Sequence, residues 1–322
     1  MGEPDLTALP DRLIDAHMHL WDLSLGKHPW LCGEMIPFRY GDYSSIRRDY
    51  LAPDYRADAG PMNVVATVYV EAEWDPADPF GETRWVHNYA AEAGFPNAVV
   101  AQAFMDAENA GEVIAKQATF PLVRSVRHKP AAARAPAEAQ RGAAGSMDDP
   151  RWRDGYAHLA RHGLGFDLQT PWWHLDAAAE LARDFPQTRI ILNHTGLPAD
   201  RSPEGLAGWR AAMETLAREP NVAVKISGIG LRGERWSLEK NVSVVRDAIA
   251  IFGPERAMFA SNFPVDSVVG EMTAIFAGFA AVTSDLAPDV RRALFHDNAA
   301  RFYRIAPRAT AKTQEKVLGG TR

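Results

Sequence analysis

Eight short β-rich runs alternate with helix-patterned stretches from one end of this chain to the other, and that alternation limits the fold more than any other feature. The runs are Leu13–His19, Asn63–Glu71, Ala98–Phe104, Leu122–His128, Gly165–Gln169, Arg189–His194, Val222–Ser227 and Ala257–Ser261. Between them, apolar residues recur at helical spacing. The stretch TRWVHNYAAEAG ends in Gly94, HLDAAAELARDF lies between Pro171 and Pro186, and SLEKNVSVVRDAIAIFG ends in Gly253. Two more helices are expected around 269–281 and 288–303. Parallel strands need long crossovers, normally helical, and eight such units close a barrel. The expected fold is therefore an α/β chain forming a single (β/α)8 TIM barrel. The competing open sheet would normally carry a glycine-rich turn after its first strand. Here that position reads HMHLWD, without glycine.

The 322 residues suit one such barrel with insertions. The expected organisation is an N-terminal extension over 1–12, the barrel over 13–305 and a flexible tail over 306–322. Residues 21–59 form a long insertion after the first strand. Trp21, Trp30, Phe38, Tyr40 and Tyr43 make it too aromatic for a linker, and it is expected to pack over the barrel mouth. The low-complexity stretch from Ala131 to Gly145 reads as a surface loop and a candidate lid.

Composition narrows the function. The net charge is −6 with no basic stripe, which argues against a nucleic-acid partner or a polybasic membrane patch. No apolar run is long enough to span a bilayer, and the N-terminus lacks a signal-peptide core, so the cytoplasm is the expected location. A single cysteine, Cys32, leaves no intrachain disulfide and no thiolate zinc site. The expected partner is a small-molecule substrate, with homo-oligomerisation left open.

In a parallel barrel the reacting groups come from the C-terminal strand ends. Those ends carry His17 and His19, then Glu71 and Glu73, Arg127 and His128, Asp167 and Gln169 with Trp172 following, Asn193 and His194, Lys225 and Ser227, and Ser261 and Asn262 with Asp266 beyond. An apolar core needs no such row. His17 and His19, two residues apart on a strand, share one face, as two metal ligands would.

Six of these ends, LIDAHMHLWD, VRSVRHKP, GFDLQTP, IILNHTGLP, VAVKISGIG and MFASNFPVD, occur in an order that resembles the amidohydrolase superfamily, in its amidohydrolase-2 branch of lactonases and related hydrolases. The resemblance covers roughly residues 13–303. It implies a site built on the first-strand histidine pair, a strand-six histidine and a strand-eight aspartate. The first three roles fall on His17, His19 and His194, which would hold one divalent ion, zinc or manganese. The fourth falls on Asn262, where the family often has aspartate. An asparagine cannot act as a carboxylate base.

Three accounts of Asn262 stay open. Three histidines hold the metal and Asp266 is the base. Or the chemistry is metal-independent, with Arg127, His128 and Lys225 activating the carbonyl. Or catalysis has been lost. Glu71, Gln169, Trp172 and Asn262 are the expected substrate contacts. The implied activity is opening of a lactone or similar cyclic ester. The alternatives are a metal-dependent decarboxylase, against which the missing carboxylate counts, and a non-catalytic binding barrel.

Overall fold

The computed structural model describes residues 4–306. The expected tail, apart from Ala306, lies outside them. All eight expected strands form: β1 (Leu13–Met18), β2 (Val64–Val70), β3 (Ala98–Gln102), β4 (Val123–Arg127), β5 (Gly165–Leu168), β6 (Ile190–Leu192), β7 (Val222–Ile226) and β8 (Ala257–Phe259). They pair in parallel in chain order, β1 to β8. Just beyond β8, Met18 bridges Phe263 in parallel, the His19 N–H donates to the Phe263 carbonyl at 2.8 Å, and the Asn262 N–H donates to the His17 carbonyl at 2.8 Å. The ring of a TIM barrel is thus brought nearly to closure at its C-terminal rim, the rim that carries the histidine pair.

The helices follow from their stripes. The 175–184 helix buries Leu175, Ala177, Ala178, Leu181 and Ala182 and ends before Pro186. The 81–93 helix stops at Gly94, which takes a left-handed φ of 80° and returns its N–H to the Ala90 carbonyl, as a C-terminal cap does. Strand and helix faces meet in one large apolar layer. A second, smaller cluster includes Ile14, Ala16, Ala66, Val68, Val100, Ala223 and Met258.

The insertion after β1 does pack over the mouth. Trp21 donates through its indole N–H to the Arg48 carbonyl at 2.7 Å, and Trp30 donates to the Ala72 carbonyl at 2.9 Å. The Ala131–Gly145 loop is not over the cavity. Its base is closed by the Ala131 N–H to the Gly145 carbonyl at 2.8 Å, and Trp173 donates to the Ala133 carbonyl at 3.0 Å. Arg141 ties its far end to Asp148 and to Glu180 of the 175–184 helix. These anchors hold it to the barrel side, so the lid expectation is withdrawn.

Candidate active site at the barrel mouth

His17, His19 and His194 meet at the C-terminal rim, although they leave the chain at β1 and just after β6. The ring centres of His17 and His19 are 5.0 Å apart, and those of His17 and His194 are 4.7 Å apart. His19 Nδ1 lies 2.7 Å from the Val70 carbonyl, an acceptor only, so Nδ1 carries the proton and Nε2 keeps its lone pair. That lone pair faces His17 Nε2 at 3.2 Å. His194 Nδ1 lies 3.0 Å from the Ser227 hydroxyl, which leaves Nε2 for the cavity that His194 lines.

Burial lowers the pKa of all three rings, and neighbouring charges lower it further. For His17 the added charge comes first from Lys225, for His194 first from Arg39, and for His19 from Arg127, which helps bring it to about 3. The rings are therefore neutral near pH 7.

The backbone is strained where the site is assembled. Glu73, His194, Thr195 and Asn262 have φ of 58°, 54°, 50° and 58°. Such left-handed values are uncommon for non-glycine residues and cluster at functional sites. Gly228, at φ +59°, lies so close that a Cβ there would sit 2.5 Å from His194 Nδ1.

A cavity of about 260 Å³ opens above the histidines, lined by His19, His194, Arg127, Gln169, Asn262 and residues of the insertion. Arg127 is held by Glu71, whose carboxylate and carbonyl both accept from the guanidinium, and its Nη1 donates to Gln169 at 3.2 Å. Three of its five N–H groups are used this way, and two remain. The Arg127 charge holds the buried Glu71 carboxyl below its ordinary pKa, against burial.

Other expected residues lie elsewhere. Lys225 is fully buried and donates to Asp167 at 2.7 Å, and Asp167 also accepts from Tyr303 at 2.7 Å and Asn193 at 3.1 Å. It is a structural ion pair and not a cavity group. His128 accepts from the Met105 N–H at 3.0 Å and the Trp152 indole at 3.1 Å, and it lines a neighbouring outer pocket. The carbonyl-activating roles expected of Lys225 and His128 are thus withdrawn. Trp172 packs on Gly208 and edge-on to Trp173, away from the cavity. Asp266 is buried but turned to Asn262, Tyr40 and Arg39, whose side chains all donate to its Oδ1. It holds other residues and contributes nothing to the lining of the cavity. Arg39, Trp30 and Phe38, which do line it, carry no motif, and the aromatic run of the insertion was their one signal; Lys129, which also lines it, follows His128 in VRSVRHKP.

The histidines fit a metal only in part. For two imidazoles on tetrahedral zinc, with Zn–N near 2.05 Å, the nitrogens would stand about 3.3 Å apart. His17 and His19 meet that spacing, and His17 Nδ1 is buried without a partner. Among the described residues, however, no group of three or more His, Cys, Asp or Glu converges to hold an ion. The geometry thus supports His17 and His19 as a ligand pair, and the His194 ring lies beside them, its centre 4.7 Å from that of His17.

Comparison with known proteins decides the family. The amidohydrolase family model, Amidohydro_2, matches residues 14–305. This chain is an amidohydrolase. It is 42% identical over 293 residues to protein y4mH of Sinorhizobium fredii, covering 91% of this chain and 98% of that one. It is 29% identical over 297 residues to an L-fucono-1,5-lactonase of Burkholderia ambifaria, covering 91% and 95%. A crystal structure of an amidohydrolase from Burkholderia multivorans with bound zinc superposes with a TM-score of 0.75 at 25% identity, covering 91% of this chain and 99% of that one. No helix among the described residues of this amidohydrolase is long and apolar enough to cross a membrane.

Proposed function

We propose that this amidohydrolase opens a lactone, adding water to the ring ester to give a hydroxy acid. The carrying observation is that a neutral His194 and an Arg127 with two N–H groups to spare line one small cavity. The likeness to the L-fucono-1,5-lactonase of Burkholderia ambifaria supports the same reading.

The chain's residues divide the work. Arg127, fixed by Glu71 and Gln169, donates to the lactone carbonyl and to the oxyanion that develops there. His194, oriented by Ser227, takes a proton from water at Nε2 as the water oxygen bonds to the carbonyl carbon. Collapse of the tetrahedral intermediate breaks the bond to the ring oxygen, which receives that proton from His194. Glu71 keeps Arg127 aimed, and Trp21, Trp30 and Phe38 shelter the cavity from bulk water. The zinc of the Burkholderia multivorans structure belongs to that protein. A zinc or manganese ion here would be held by His17 and His19, whose spacing suits one, and would polarise the lactone carbonyl; no step is routed through it.

The test is turnover of a panel of aldono- and alkyl-lactones by pH-stat, alongside His194→Ala. The variant should lose about two to three orders of magnitude in kcat. Near-normal turnover in the variant, or carbon dioxide release from aromatic acids in place of lactone opening, overturns the reading.

A further inference from the structure

A second pocket, of about 600 Å³, adjoins the histidine cavity. The two share Trp30, Ile36, Glu73, Arg127 and Lys129 in their walls, so they lie directly side by side. The outer part is walled by Pro29, Trp74, Pro76 and Phe104 as well as the shared Trp30 and Ile36. This vestibule has more than twice the volume of the inner cavity.

Two further observations bear on what fits there. The most exposed large apolar side chains among the described residues are Ile36, at 50%, and its neighbour Met35, at 46%, both on the insertion that roofs the site. Beside the pocket mouth, these adjacent apolar side chains offer a surface on which an apolar group can be buried. The charges at the boundary between the two pockets are paired, Arg127 with Glu71 and Lys129 with Glu73. The shared wall therefore carries no spare cation to recruit an anionic arm, and Glu34 at the outer pocket would repel one.

We propose that the vestibule is a subsite for an uncharged apolar arm, of aryl size or longer, carried by the lactone whose ring lies at the histidines. This rests on the lactone reading for the ring end. The arm packs against Trp30, Ile36 and Phe104, and the ring stays within reach of His194 and Arg127.

Two δ-lactones, one with a methyl and one with a phenethyl group at the ring carbon bearing oxygen, test it. So do their ring-opened hydroxy acids, titrated into the protein by calorimetry. The phenethyl acid should bind about tenfold or more tightly than the methyl acid, from the apolar area it buries. Ile36→Ser, at a half-exposed position that places no load on folding, should cut that gain to about threefold or less, and Phe104→Ala should do the same. Equal affinity for the two acids, or a gain untouched in both variants, overturns the subsite, as does failure of either acid to bind. If neither lactone is opened but the acids differ as stated, the hydrolysis reading fails and the subsite stands.

Discussion

Asp266 accepts a 2.6 Å hydrogen bond from the side-chain amide of Asn262. Tyr40 donates to the same oxygen at 3.0 Å and Arg39 at 3.5 Å. With three donors on it, the carboxylate is held as an acceptor. It also settles which way the amide turns, because only Nδ2 can donate. The Asn262 carbonyl oxygen is left for the other side, where its side chain acts on His19. Asp266 is thus a positioning residue and no stand-in for the missing strand-eight carboxylate.

Asn262→Asp would set two carboxylates at that 2.6 Å contact. Like charges so close cannot both stay ionised. The variant should lose at least ~4 °C in Tm in chelator. A divalent ion shared with His17 and His19 would relieve the repulsion, so added zinc should raise its Tm by more than it raises that of the unaltered protein. Equal zinc responses in the two proteins would mean that position 262 does not face the histidine pair.

The pH dependence follows from the direction of the His194 shift. Burial, and then Arg39, hold its pKa well below 6.5. A base with a lowered pKa remains unprotonated to lower pH. The acid limb of kcat/KM should therefore fall below pH 6.5, with a flat profile from there to neutrality. Arg39→Gln removes the largest charge acting on the ring and should move the limb upward, toward 6.5. A limb at or above 6.5 in the unaltered protein would remove His194 as the base.

The barrel could be read from the chain because each strand is a short apolar run with a polar residue at its end or within two residues beyond, and each ending falls within about two residues of its observed place. His17, His19 and His194 could be read for the same reason. Lys225 could not be placed, since a lysine in an apolar run looks the same whether it faces the cavity or a buried Asp167. Trp172 was misjudged because a tryptophan just past a strand end packs as readily on a glycine of the next helix, here Gly208. Arg39 and Tyr40 reach Asp266 across 227 and 226 residues. No local pattern encodes a contact of that length.

The Lys225–Asp167 pair has a stability consequence that separates it from catalysis. Both side chains are fully shielded from solvent. Removing one partner of a buried pair leaves an uncompensated charge, at a cost of about 3–5 kcal/mol. Lys225→Met should therefore lower the urea midpoint sharply, and adding Asp167→Asn should recover part of the loss. If the single variant keeps the midpoint but loses kcat, the lysine belongs to the chemistry after all.

Gly228 offers the narrowest test of how the His194 ring is held. Its φ of +59° disfavours any side chain, and a Cβ would press on His194 Nδ1 at 2.5 Å and on Arg39 Nη2 at 2.8 Å. Gly233 has a similar φ of +73° with nothing within 4 Å of its would-be Cβ. Alanine at either position pays the backbone strain, roughly 1 kcal/mol, but only Gly228→Ala also pushes the imidazole off Ser227. Gly228→Ala should lose more stability than Gly233→Ala, because the ring it displaces is buried. Gly228→Ala should in addition lose about a hundredfold in kcat, the scale of a misplaced catalytic group. Steady-state kinetics beside a melting curve for each variant makes the comparison. Equal kcat in the two would show that the contact between Ser227 and His194 does not set the position of the base.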